Sequence, residues 1–383
     1  MSKFFRTDRG LSQTETATQA PTGRDVVDWG FAASAAGRMV PAGPKVSRIE
    51  IKDAVAQLRA SAAASIEPVA QTSLMTAPDD AAAPLIVDRP GWIRANSASM
   101  QAMMAPVLDE VMSRHLSSAE NPGAKRGGQA HADPSELARR VGGVVSGAEV
   151  AGVLSWVSTK VLGQYDLAPQ GTPRLLLVAP NIMAAERELS VDPTDFRLWV
   201  CMHEETHRVQ FTSVPWLRGH IIEQAQSLST SLIPHPDDVS GRMSQLITGL
   251  PSVLRGETDI TTLLANEEQR ARLADLTAVM ALLEGHADVV MDEVGPSVIP
   301  TVADIRAKFT QRRKGAGTLD VLLRRLLGME AKMRQYRDGA VFVRTVMEQV
   351  GTQGFNQVWS SPDALPRASE IADPASWVTR VHH

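Results

Sequence analysis

Apolar residues recur at intervals of three and four through several long stretches of this chain, the spacing that lines one face of an α-helix. Val55, Leu58, Ala62 and Ile66 mark a helix from about Ile49 to Ile66, closed by Pro68. Met100, Met103, Met104, Val107, Val111 and Met112 mark a second over Ser97 to His115, with the methionines read as core packing. Asp133-Pro134 supplies an N-cap and a first-turn proline for a third, which runs on through Gly143 and Gly147 to about Leu162. Asp192-Pro193 does the same for a fourth. Its stripe is Phe196, Val200, His203, His207 and Phe211, and Pro215 ends it. Arg197, Cys201, Glu205 and Arg208 form the opposite side, expected to face solvent. A fifth spans Glu267 to Val294, with Leu273, Leu276, Met280, Leu283, Ala287 and Val290 on one side and Gly295-Pro296 as its stop. The clearest strand-like run is Arg174 to Ala179, bounded by Pro173 and Pro180-Asn181.

These elements predict a mainly α (α+β) protein with a small sheet and many helices. Residues 1–24 are polar and aperiodic and read as a loosely attached arm. Residues 25–170 form a helical N-terminal part, and 171–383 form the part that carries the chemistry described below. Thr76 to Pro90 reads as a loop, His235 to Asn266 as short helices and loops, and Arg312 to Gly317 as a basic loop. Leu319 to Gly339 reads as amphipathic helix with a cationic face, and the tail from Ser360 as an ordered arm on the surface.

Composition narrows the function. With 383 residues, 43% hydrophobic and 21% charged, the chain buries a large core. A net charge of −4 provides no basic field for nucleic acid. The most membrane-like stretch, Val141 to Leu162, contains Glu149 and Lys160, so no membrane span is expected. The N-terminus is charged and lacks an apolar signal core, which predicts a cytoplasmic protein. Cys201 is the only cysteine, which excludes an intrachain disulfide and a cysteine-based metal site.

The chemistry lies in His203-Glu204-Glu205-Thr206-His207. Two histidines four residues apart share one helix face and can aim both imidazoles at one ion. Glu204 lies beside them, placed to serve as general base for a water held there. A catalytic zinc site takes three protein ligands. Glu284 is the preferred third, because Asp288, four residues on, then accepts the free N–H of a ligating histidine. His286 lies roughly 200° around the helix from Glu284 and is an alternative ligand or a donor to substrate. His220 and Glu223 are further alternatives. Stabilising an oxyanion requires a donor, and His286 and Tyr336 are the candidates; Tyr165 is the only other tyrosine.

The pattern His203-Glu204-x-x-His207 followed by Glu284-x-x-x-Asp288 resembles the gluzincin arrangement, although Glu284 lies 77 residues beyond His207. From Asp25 onward the chain is similar to a bacterial family of zincin-like zinc-dependent metalloproteases. Shared features include Leu327 to Tyr336, Phe355-Asn356, Trp359, Leu365-Pro366 and Asp373-Pro374. The resemblance implies a zincin-like fold, a Zn2+ cofactor, hydrolysis by a zinc-activated water, and a peptide or protein substrate binding along a sheet edge. A non-catalytic zinc-retaining regulatory protein is the alternative. The family is also associated with deazaflavin-cofactor biosynthesis, but no flavin-binding motif is present in the sequence.

Overall fold

The computed structural model describes residues 27–119, 136–232, 265–314 and 329–382. The expected arm at 1–24, the Asp133 cap and nearly all of the segment from His235 to Asn266 lie outside the described residues. In chain order the helices are α1 (Trp29–Met39), α2 (Arg48–Ala64), α3 (Ile66–Ser73), α4 (Arg89–Ala119), α5 (Glu136–Ser158), α6 (Ala179–Leu189), α7 (Pro193–Ser213), α8 (Leu217–Leu232), α9 (Glu267–Val294), α10 (Val302–Lys314), α11 (Met329–Phe355), α12 (Ala368–Ala372) and α13 (Pro374–His382). Between them lie strands β1 (Leu85–Val87), β2 (Gly163–Asp166) and β3 (Arg174–Val178).

Local chemistry sets the helix ends. Asp192 caps α7 by accepting from the Thr194 and Asp195 N–H groups, beside Pro193 at the first helical position. Asp195 in turn accepts from the Thr301 N–H and hydroxyl, which ties the start of α10 to that of α7. α9 opens with a capping box between Asn266 and Gln269. Pro68, expected to stop the first helix, instead stands in the first turn of α3, where a proline sacrifices no intrahelical hydrogen bond.

The sheet order is β1-β3-β2, with β1 parallel and β2 antiparallel to β3. β3 is therefore central, and its side chains alternate between two apolar layers. Leu176 and Val178 pack with Ala36, Trp92, Ile93 and Leu154 from α1, α4 and α5. Leu177 joins the larger core, which includes Leu58, Phe196, Met202, Leu282, Phe342 and Trp377. That core draws on the chain from α2 to α13, and the sheet takes strands from both sides of residue 170.

Two further expectations are corrected. The tail after Ser360 is packed rather than draped: Trp377 is fully buried against Phe342, and its indole N–H donates to the Ala364 carbonyl. Arg312 to Lys314 continue α10 rather than forming a loop. The glycine-bearing helix does pack closely, since Gly147 of α5 lies directly against the Asp28 carbonyl and the Phe31 ring. No helix among the described residues is long and apolar enough to cross a membrane.

Candidate functional site

α7 runs through the middle of the larger core, and Phe196 and Val200 of its apolar stripe are buried as expected, but the side expected to face solvent is buried too. Arg197, Cys201, Glu205 and Arg208 are all buried. Arg197 pairs bidentately with Glu186, and Arg208 with Glu205, so each buried charge is matched and hydrogen-bonded. Burial also pushes the Cys201 thiol far above its ordinary range, which leaves it inert. His203 and His207 instead face a cleft of about 460 Å³.

At the cleft floor α9 brings Glu284 against α7. The His203 and His207 Nε2 atoms are 3.2 Å apart. Glu284 lies 3.5 Å from the first through Oε2 and 3.7 Å from the second through Oε1. Tetrahedral zinc with nitrogen and oxygen ligands at about 2.0–2.1 Å needs donor atoms separated by roughly 3.3 Å. Donor type and spacing therefore both fit that metal. Among the described residues these are the three His, Cys, Asp or Glu side chains that converge in this way. Positive charge is favoured at the same point. Burial pushes the His203 imidazole down, but hydrogen bonding to Glu284 and the charges of Glu284, Glu204 and Asp288 outweigh it and raise it to about 9. Burial lowers His207, only partly offset by Glu284.

The outer ring nitrogens find partners that the sequence did not suggest. His203 Nδ1 lies 3.3 Å from the Met291 sulfur, and His207 Nδ1 lies 2.9 Å from Gln210 Oε1. Neither contact involves the Asp288 carboxylate, which acts on both rings only through its charge. His286 is fully buried between Phe355 and Trp359, with Nδ1 against Gln210, and is brought neither to the metal ligands nor into the cleft. Burial and the charge of His207 push it down to about 3. His220 packs its ring edge-on to Trp216, and neither it nor Glu223 joins the converging group. The Tyr336 side chain lies outside the described residues.

Glu204 is buried with one carboxylate oxygen lacking any hydrogen-bond partner. Burial, opposed by His203 and reinforced by Glu284, pushes it up to about 7. Directly over it stands Gly163 of β2, where a Cβ would lie 2.5 Å from the Glu204 carboxyl carbon. Two residues along the same face, the Tyr165 ring stacks on Phe211 with centroids 5.1 Å apart and planes nearly parallel. Burial raises the Tyr165 phenol, partly offset by Arg218 and Arg208.

All four β2 residues line the cleft. The Val178 N–H donates to the Leu162 carbonyl, which fixes the phase of the antiparallel ladder. Gln164 and Asp166 then pair with β3, while the main-chain groups of Gly163 and Tyr165 point away from it, off the sheet edge. β3 is central, and β2 is the edge strand beside the cleft. On the far face of β2, Trp92 Nε1 donates to Gln164, Gln164 donates to Asn96, and Ser99 donates to Asp166, which Arg174 also pairs. Met100, Met103, Ile221, Met280 and Leu283 form the apolar wall. Met100 and Met280 are exposed there, so part of each expected core stripe is cleft lining.

A sequence profile described as zincin-like metallopeptidase matches residues 27–378. A crystal structure from Chloroflexus aurantiacus, described as a "putative hydrolase with a novel fold", aligns with a TM-score of 0.61 at 26% identity, covering 93% of this chain and 99% of that one. No curated protein matches.

Proposed function

Since the chain belongs to the zincin-like metallopeptidase family, we propose that it is a zinc-dependent peptidase whose metal is held by His203, His207 and Glu284. The observation that carries this reading is the convergence of those three donors at tetrahedral spacing beside a buried carboxylate with an unpaired oxygen. Zinc, when bound there, supplies Lewis acidity to polarise a scissile carbonyl.

The chain's own residues account for the rest. Glu204, pushed up to about 7, is suited to take a proton from the attacking water and return it to the departing amine. The packing of Gly163 holds it in one place, and its unpaired oxygen leaves an acceptor free for that proton. An extended peptide running along β2 can hydrogen-bond to the outward main-chain groups of Gly163 and Tyr165. That register brings its carbonyl over Glu204, with an apolar side chain against Met100, Met103 and Leu283. Among the described residues Tyr165 is the phenol in the cleft, and it takes the role of oxyanion donor.

The test combines metal content with turnover. Purified protein should contain one zinc per chain. Glu284→Ala should lose it, and Glu204→Gln should keep it while cleavage of a peptide library, read by mass spectrometry, disappears. Full activity in Glu204→Gln would remove that residue from the reaction. Zinc bound without any cleavage by the wild type would favour a regulatory zinc protein, and no zinc after reconstitution would sink the reading.

A further inference from the structure

Gln210 is fully buried on α7, one turn beyond His207, and makes three hydrogen bonds. Its Oε1 lies 2.9 Å from His207 Nδ1. Its Nε2 lies 3.0 Å from the Leu283 carbonyl oxygen and 3.0 Å from His286 Nδ1. Only one assignment of protons satisfies this set. The Leu283 carbonyl can only accept, so the amide nitrogen must face it. The second amide N–H then donates to His286 Nδ1, which leaves the His286 proton on Nε2. The opposite end of the amide is an oxygen and can only accept, so His207 carries its proton on Nδ1.

We propose that Gln210, anchored by the Leu283 carbonyl and by His286, is a positioning residue that fixes His207 as its Nδ1–H tautomer and leaves the Nε2 lone pair free for the metal. The arrangement explains an otherwise costly feature. His286 is buried with no partner for its Nε2, a loss that an apolar side chain would avoid. An apolar side chain at 286 would give the second amide hydrogen no acceptor, whereas His286 gives it one. Leu283 immediately precedes Glu284, so one amide joins the ligand on α7 to the backbone carrying the ligand on α9. The purpose of the tautomer rests on the zinc reading, but the tautomer itself can be observed without any metal.

The experiment is long-range 1H–15N NMR of histidine-labelled full-length protein after chelation, with the His207 ring assigned by loss of its signals in His207→Asn. The wild type should show His207 protonated at Nδ1 and bare at Nε2. Gln210→Leu should populate the Nε2–H form and weaken zinc binding, measured by competition with a chromophoric chelator, by roughly 10–100-fold. Gln210→Glu keeps an acceptor at His207 Nδ1 but has no hydrogen for the Leu283 carbonyl, so it should restore the Nδ1–H tautomer while lowering the urea midpoint. His207 bearing its proton on Nε2 in the wild type would overturn the proposal even if neither variant folds. So would wild-type zinc affinity in a folded Gln210→Leu. An Nδ1–H tautomer in a wild type that binds no zinc would uphold the positioning and defeat the zinc reading alone.

Discussion

Gly163 shows how a single residue conditions the chemistry. A methyl group there would lie 2.5 Å from the Glu204 carboxyl carbon, closer than atoms can approach, so the carboxylate must move. Glu204 is hemmed in by burial, and displacing a catalytic group by about 1 Å can cost roughly 10²-fold in rate. Gly163→Ala should therefore reduce peptide cleavage by about two orders of magnitude. Circular dichroism and stoichiometric zinc should stay intact, and an unchanged turnover number would show that Glu204 tolerates displacement. Tyr165→Phe keeps the stacking on Phe211 and removes only the hydroxyl. It should lower the turnover number by about 10²-fold with little effect on KM if the phenol serves the oxyanion. At this scale helical spacing placed His203 and His207 on one face, with Glu204 beside them, whereas Glu284 was reached through a partnership with Asp288 that the ring nitrogens do not make. The sequence could not show Gly163 or Tyr165, whose positions depend on a four-residue strand with no periodic signature. Nor could it separate Asp288 from Met291 and Gln210 as partners of the ring nitrogens, since that choice depends on how two distant helices are rotated.

At the scale of the element, the position of Glu284, the proposed third ligand, is set by a glycine contact. Gly285 of α9 and Gly339 of α11 meet where a Cβ on the first would lie 2.2 Å from the Gly339 carbonyl carbon, and a Cβ on the second 2.0 Å from the Ala281 carbonyl oxygen. The two backbones touch immediately beside Glu284. Gly339→Ala must push the helices apart, at a cost of about 1–3 kcal/mol for overpacking. Because α9 carries one proposed ligand and α7 the other two, zinc affinity should fall along with the urea midpoint. A variant with reduced stability and unaltered zinc affinity would mean that α9 holds its place against α7 without α11. The burial of the charged side of α7 belongs to the same scale. Periodicity identified the helix and its two sides but assigned the charged side to solvent. Buried ion pairs invert that rule, since Glu205 is compensated only by Arg208 across one turn. Arg208→Met should cost about 3–5 kcal/mol by stranding that carboxylate. Met100 and Met103 of α4 were misplaced for a related reason: an apolar stripe lines a cleft as readily as a core.

Across the whole molecule, the C-terminal segment closes the core that supports the site, a role its proline content did not reveal. Trp377 packs on Phe342 of α11, the helix that braces α9, so the tail stabilises the ligand helix from behind. Trp377→Ala should cost about 3–5 kcal/mol. The segment is latched by Glu370, which Arg380 grips with two hydrogen bonds while also donating to the Asp363 and Leu365 carbonyls. Burial raises the Glu370 carboxyl, but hydrogen bonds from Arg380 and from the Arg367 N–H outweigh it, so it lies below its ordinary 4.5 in the folded protein. A depressed carboxylate contributes stability that is fully present above the unfolded-state value and lost as pH falls through the folded one. The melting temperature of the wild type should therefore exceed that of Glu370→Gln by a constant margin from neutral pH down to about 5, and the margin should close below that. Because the latch lies far along the chain from His203 and His207, zinc affinity at neutral pH should be nearly the same in both proteins. A gap that persists at pH 3 would mean that the carboxylate charge does not hold the tail, and that packing around Trp377 alone keeps α11 and α9 in place.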